Sequence, residues 1–290
     1  MSRLEIAKTW KLYLGGAFPR SESGRTIMLR NAKDALVAHI ARASRKDLRN
    51  AVELARKALS GWASRDAYNR GQILYRMAEN TEQRHAELID AIRATGDLSA
   101  REAKSEVAAT VDRLVAFAGW CDKFPQVLGC RNPVVGPYHD FTMPEPTGVC
   151  GVIAADDPPL LGMVSFVAPM LAGANTTVVL ASEDNPLPAM VFAEICATSD
   201  VPAGVVNVLT GLHEELIGEF AAHRDIDAIG GHVVDEEERR TLELGAADNM
   251  KRVRLETCED LDYFNNEKRH SPWTIEPFTE MKTIWHPSGA

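Results

Sequence analysis

Residues 143–180 read MPEPTGVCGVIAADDPPLLGMVSFVAPMLAGANTTVVL. Residues 148–153 form a short apolar run with the length of a buried strand. Asp157-Pro158-Pro159 then predicts a strand end and a helix start, with Asp157 as N-cap and proline in the first turn. Leu160, Val164, Val167 and Leu171 recur at helical spacing. Gly173-Ala174-Asn175 closes that helix, and residues 176–180 make a second, β-branched strand. Strand, helix and strand compose a βαβ unit, the first piece of a doubly wound parallel sheet.

Working outward, the alternation continues. Residues 186–198 predict a helix, and 201–209 a Pro-Gly turn followed by a strand. Residues 214–223 predict a helix, 226–229 a strand, 235–247 a charged helix and 252–255 another strand. The expected fold class is therefore α/β, a Rossmann-like parallel sheet of about five strands. Upstream, residues 10–16 are strand-like and end in a glycine turn. Ser44 to Asp47 reads as a capping box, with Asp47 the shorter stand-in for Glu. Val52, Ala55, Leu59 and Trp62 mark one face of the helix it opens. A second helix is expected over about 69–94, with Ile73, Met77, Leu88 and Ile92 inward. A third is expected over about 99–117, with Val107, Val111 and Leu114. Met77 and Trp62 read as core, and His139, in the weakly alternating 134–143, as an exposed strand residue.

The chain has 290 residues, 45% of them hydrophobic, enough for a substantial core. A formal net charge of -9 argues against nucleic acid as a main partner, since phosphate binding needs a basic surface. The five cysteines are odd in number and lack metal-ligand spacing, so they read as reduced thiols in a cytoplasmic protein, without a metal. No apolar run approaches transmembrane length, and residues 1–10 are too polar for a signal peptide, so no membrane partner is expected.

Glu145-Pro146-x-Gly148, the strand after it, Pro159-Leu160-Leu161, Ala168-Pro169, Leu171-Ala172 and Val178-Val179-Leu180 resemble the cofactor-domain core of aldehyde dehydrogenases. The resemblance continues in order. It includes Arg56-Lys57-Ala58 with Gly61-Trp62, residues 118–123 (AGWCDK), the Val-Val-Asn strand at 205–207, and Thr279-Glu280-x-Lys282-Thr283-x-Trp285. It implies N-terminal strands and helices of a cofactor domain over 1–133 and an oligomerisation arm over 134–147. It further implies a Rossmann-like core over 148–258, a linker over 259–272 in place of the family's catalytic domain, and a C-terminal oligomerisation strand over 273–290.

The positions that match the family's chemistry are altered. The family attacks its aldehyde with a thiolate in a Gly-Gln-x-Cys context, which is absent from this chain. Cys258 follows Glu256 closely but has acidic neighbours, which raise a thiol pKa. The other cysteines, Cys121, Cys130, Cys150 and Cys196, read as packing. Asp157 stands where the resemblance places an oxyanion-donating Asn, and a carboxylate repels an oxyanion. Glu256 matches the general base. Ser182, Gly230 and Gly231 are the weak cofactor-binding candidates, since the expected ribose lysine is missing and four acids, Asp235 to Glu238, stand where the pyrophosphate helix begins. The resemblance then leaves three readings. One is a non-catalytic subunit, without cofactor, that assembles with a full-length aldehyde dehydrogenase or with itself. The second is an NAD- or NADP-dependent component whose site a partner chain completes. The third is a diverged nucleotide-binding regulatory domain.

Overall fold

The computed structural model describes residues 6–96, 98–233, 235–257 and 262–288. A small sheet opens the chain, from β1 (Lys8–Trp10), β2 (Thr26–Arg30) and β3 (Leu36–Ala41), in the order β1-β3-β2. The expected strand over 10–16 divides between two sheets. Trp10 ends β1, whereas the Tyr13 amide donates at 3.0 Å to the Val208 carbonyl at the edge of the main sheet.

Five helices follow: α1 (Arg45–Ala63), α2 (Ala67–Gln83), α3 (His85–Arg93), α4 (Ala100–Trp120) and α5 (Phe124–Leu128). The capping box at α1 is present, with Ser44 accepting from the Asp47 amide and Asp47 from the Ser44 amide. The single helix expected over 69–94 is two, broken at Arg84. In the last turn of α2 the Thr81 hydroxyl donates back to the Met77 carbonyl at 2.7 Å, a contact that bends helices. Arg84 then turns sideways to Glu87 and Glu194.

The central unit is a five-stranded parallel sheet. Its strands are β6 (Val149–Ile153), β7 (Thr176–Leu180), β8 (Val206–Leu209), β9 (Ala228–His232) and β10 (Arg252–Glu256), in the order β10-β9-β6-β7-β8. Connecting helices are α6 (Pro159–Ala172), α7 (Leu187–Ala197), α8 (His213–Ala222) and α9 (Glu236–Asn249). Every residue of α6 is buried, as expected of a helix apolar on all faces. It packs with α2, α4 and α7 in one hydrophobic layer, while α1 and α8 close the opposite face of the sheet. Met77 and Trp62 lie in these cores at 0% and 1% exposure.

The N-cap expectation at α6 is overturned. Pro158 occupies the cap position and offers no side-chain acceptor, and Asp157, one residue earlier, is exposed. The first-turn amides of Leu160 and Leu161 donate instead to Glu106 Oε1 of α4, at 2.8 and 3.1 Å. A buried helix end must find an acceptor somewhere, and here it is supplied across the helix interface.

Residues 262–278 hold helix α10 (Asn266–Arg269) and two 3-10 turns, Pro272–Thr274 and Glu276–Phe278. Ile275 and Phe278, expected in the tail strand, are instead buried in the main core at 0% and 2% exposure. The strand β11 (Thr279–Pro287) begins after them. It pairs antiparallel with β5 (Tyr138–Pro146) along its whole length, and β4 (Cys130–Arg131) lies on the far side of β5. The tail thus finds its first ladder within its own chain.

Candidate functional site

In a parallel sheet that winds both ways from β6, the crevice beside the carboxyl ends of β6 and β9 is the natural ligand position. Here Asp156 Oδ1 accepts from the Ser182 hydroxyl at 2.6 Å and from the Glu183 and Asp184 amides at 3.1 and 3.4 Å. It thereby ties the loops after β6 and β7 together. The Ser182 oxygen also accepts from the Asn185 amide, and the residue is buried. Glu183 accepts from the His213 amide at the start of α8. His213 Nδ1 lies 3.9 Å from Glu238. Burial raises the Asp184 and Glu238 carboxyls above the usual range, and the acids around them add to both shifts.

Gly230 and Gly231 lie inside β9 and are buried. A Cβ on Gly230 would stand 2.7 Å from Phe278 Cζ and 2.8 Å from Met170 Cε, so this glycine makes room for core side chains. At the head of α9, Asp235 Oδ1 accepts from the Glu237 and Glu238 amides, both at 2.9 Å. Two of the amides that an anion could use at this helix start are thus taken by the chain's own carboxylate.

Glu256, at the end of β10, is buried and holds Arg269 Nη1 at 2.8 Å from each carboxylate oxygen. The Arg269 guanidinium lies 4.9 Å from the centre of the Tyr263 ring. The Tyr263 carbonyl accepts from Arg113 Nη2 at 2.7 Å, and the His270 carbonyl from Trp120 Nε1 at 2.6 Å. Residues 262–270 are therefore fastened to α4 and to Glu256. Arg113 and Glu106 went unnoticed in the sequence. The available signal was their position: both flank the apolar stripe of Ala103, Val107, Thr110, Leu114 and Phe117, where a charge needs a buried partner.

Cys121, Cys150 and Cys196 are buried, and burial pushes the Cys121 thiol up to about 12 and the other two higher still. Cys130 corrects the packing expectation. It is exposed, and its Sγ donates to Asn132 Oδ1 at 3.2 Å, because β4 lies at a sheet edge. Cys258 lies outside the described residues. Among the described residues, no group of three or more His, Cys, Asp or Glu is placed to hold a metal ion, and no helix is long and apolar enough to cross a membrane.

Glu106 gives this region a pH signature. Burial pushes its carboxyl from 4.5 up to about 7, against the two amides it accepts from, while Asp157 adds to the rise. Between these values the folded chain holds a proton that the unfolded chain has lost. The stability from this group is present at low pH and is lost as pH rises through about 7. Relative to Glu106→Gln, the wild type is expected to lose up to roughly 3 kcal/mol of urea-unfolding free energy across that window. Parallel pH profiles for the two proteins would contradict the assignment.

The sequence profile of the aldehyde dehydrogenase family matches residues 18–258. Cytosolic 10-formyltetrahydrofolate dehydrogenase of Mus musculus is 32% identical over 266 residues, covering 88% of this chain and 29% of the relative. Retinal dehydrogenase 2 of the same species is 33% identical over 258 residues, covering 87% of this chain and 49% of the relative. The solved NAD+ complex of an aldehyde dehydrogenase from Bacillus cereus superposes with a TM-score of 0.82 at 26% identity, covering 86% of this chain and 51% of that one. The chain thus spans about half or less of the length of these proteins.

Proposed function

The chain belongs to the aldehyde dehydrogenase family, and on that premise we propose that it is a non-catalytic member that works by assembly, as a structural or regulatory partner of a full-length aldehyde dehydrogenase subunit. The observation that carries this reading is β11. It is the outermost strand of its sheet, and its ladder partner among the described residues is β5 alone. Met281, Ile284 and Trp285 of β11 are exposed, as are Tyr138 and Met143 of β5. An open strand edge with apolar side chains is suited to strand addition by a partner.

The crevice supports the same reading. Ser182 is engaged by Asp156, Gly230 and Gly231 are packed into the core, and the Glu237 and Glu238 amides of α9 are occupied by Asp235, so these residues do not fit a dinucleotide. Glu256 is held by Arg269 at 2.8 Å from each carboxylate oxygen. NAD and NADP are expected to give no saturable binding at micromolar concentration in calorimetry. The pair Asp235→Ser and Glu236→Thr keeps a cap and removes two charges, so it should improve any residual affinity. Micromolar binding by the wild type would favour a component whose site a partner completes.

The assembly experiment is size-exclusion chromatography with light scattering, alone and with the full-length enzyme of the same source. The intact chain should co-elute with that enzyme. A chain lacking residues 280–290, which keeps Ile275 and Phe278, should not. A stable monomer that ignores the enzyme overturns the reading.

A further inference from the structure

The ladder between β5 and β11 sets two histidines opposite each other. Its register pairs His139 with His286, and both are exposed. At one end of the ladder the Thr147 amide donates to the Phe278 carbonyl at 3.3 Å, and at the other the Ser288 amide donates to the Pro137 carbonyl at 2.8 Å. Alternation between those two bonds makes His139 and His286 a hydrogen-bonded pair, with Cα atoms roughly 5.5 Å apart. Side chains directly opposite leave the same face of the sheet, with Cβ atoms roughly 5 Å apart, so both imidazoles stand over one spot. The His139 ring rests against Phe141, with 5.3 Å between centroids, which limits where it can turn. Among the described residues neither imidazole has a hydrogen-bond or ion-pair partner. The acids of the two strands are engaged elsewhere. Glu145 is held by Lys282 and Glu280 by Arg252, while Asp140 is buried on the opposite face, where its Oδ1 accepts from Asn132.

We propose that His139 and His286 form a binding site for a divalent late-transition-metal ion, Cu2+ ahead of Zn2+, held by one nitrogen of each ring with water in the remaining positions. Neutral imidazole is a common ligand of these ions, and affinity at nitrogen sites peaks at Cu2+. Magnesium and calcium take oxygen ligands, and the acid nearest in register, Asp140, is buried on the other face. Two imidazoles on one ladder bind better than two separate ones, because the second is already within reach once the first has bound. The ion joins the two strands near the free end of β11, while Ile275 and Phe278 anchor the other end in the core. It sits on a face of the strand pair and leaves the outer edge of β11 open. The site is therefore tested on the chain alone, and its failure leaves the strand-addition reading untouched.

The test is titration of the full chain with CuCl2 and, separately, ZnCl2, followed by calorimetry and, for copper, by electron paramagnetic resonance. A saturable site is expected that the double variant His139→Asn and His286→Asn removes. Each single variant should weaken it roughly tenfold or more, since the chelate is lost. The copper spectrum should show two coordinated nitrogens in the wild type and one in each single variant. Both positions are exposed, so the variants are expected to fold. His85→Asn, at an exposed histidine of α3, should leave the site as it is. Amide exchange over residues 283–286 should slow when Zn2+ is added, because the ion binds only the paired strands. The proposal is overturned if neither ion gives saturable binding, if the double variant binds as tightly as the wild type, or if Mg2+ binds as tightly as Zn2+.

Discussion

Gly148→Ala is expected to cost about 4 kcal/mol or more of unfolding free energy, among the largest losses available to a single methyl group in this chain. Gly148 sits at φ +140, a conformation that L side chains rarely adopt. A Cβ there would stand 2.0 Å from Asp227 Oδ2. Neither side can give way. The Gly148 amide donates to Asn175 Oδ1 at 2.9 Å, and Asp227 Oδ2 accepts from the Val149 amide and from Arg56 Nη2, both at 2.7 Å. Moving the glycine breaks the entry to β6, and moving the aspartate strands two donors. Guanidinium unfolding measures the loss, and Asp227→Ala should rescue part of it, because a double-mutant cycle isolates the clash. A loss below about 1 kcal/mol would show that the turn relaxes freely.

Phe278→Ala is the second large effect, expected at about 3–5 kcal/mol. The ring is buried in the space that Gly230 leaves beside Met170 and Phe166. Its own carbonyl accepts from Asn175 Nδ2 at 3.0 Å and from the Thr147 amide at 3.3 Å. The residue is therefore the peg by which β11 is attached to the central sheet. Beyond the global loss, amide exchange along Thr279–Pro287 should accelerate, and capture of a full-length enzyme should weaken in step. Met281→Ala, at an exposed position on the same strand, should cost under about 1 kcal/mol. A stable Phe278→Ala protein with unchanged exchange would remove the peg from the account.

The parallel sheet was legible because its strands are short apolar runs separated by capped helices, and that pattern survives wherever burial decides it. Residues 148–180 illustrate the point: strand, helix and strand came out within a residue or so of their positions. What escaped were decisions made between distant residues. Nothing local distinguishes Asp157 as an exposed acid from Asp157 as a cap. The choice was made by Glu106, 54 positions from the Leu160 amide it receives. Gly230 and Gly231 stand just past the expected 226–229 strand as cofactor-binding candidates because the sequence does not say that Phe278 and Ile153 crowd them. The tail carries apolar residues from Ile275 to Trp285, but its first half serves the core and only its second half reaches solvent. Periodicity over so few residues cannot separate the two.

The peg also sets a timetable. Synthesis is vectorial, and Ile275 and Phe278 fill space in a core whose other walls, Gly173, Met170 and Gly230, are translated long before them. While residues 275–287 are still in the ribosome, the sheet has a gap in its packed layer, and the long edge of β5 faces solvent or a neighbouring chain without its strand. The period of greatest exposure to misassembly, or to chaperones, is therefore the interval before residues 275–287 emerge, and a slow codon just before residue 275 would lengthen it.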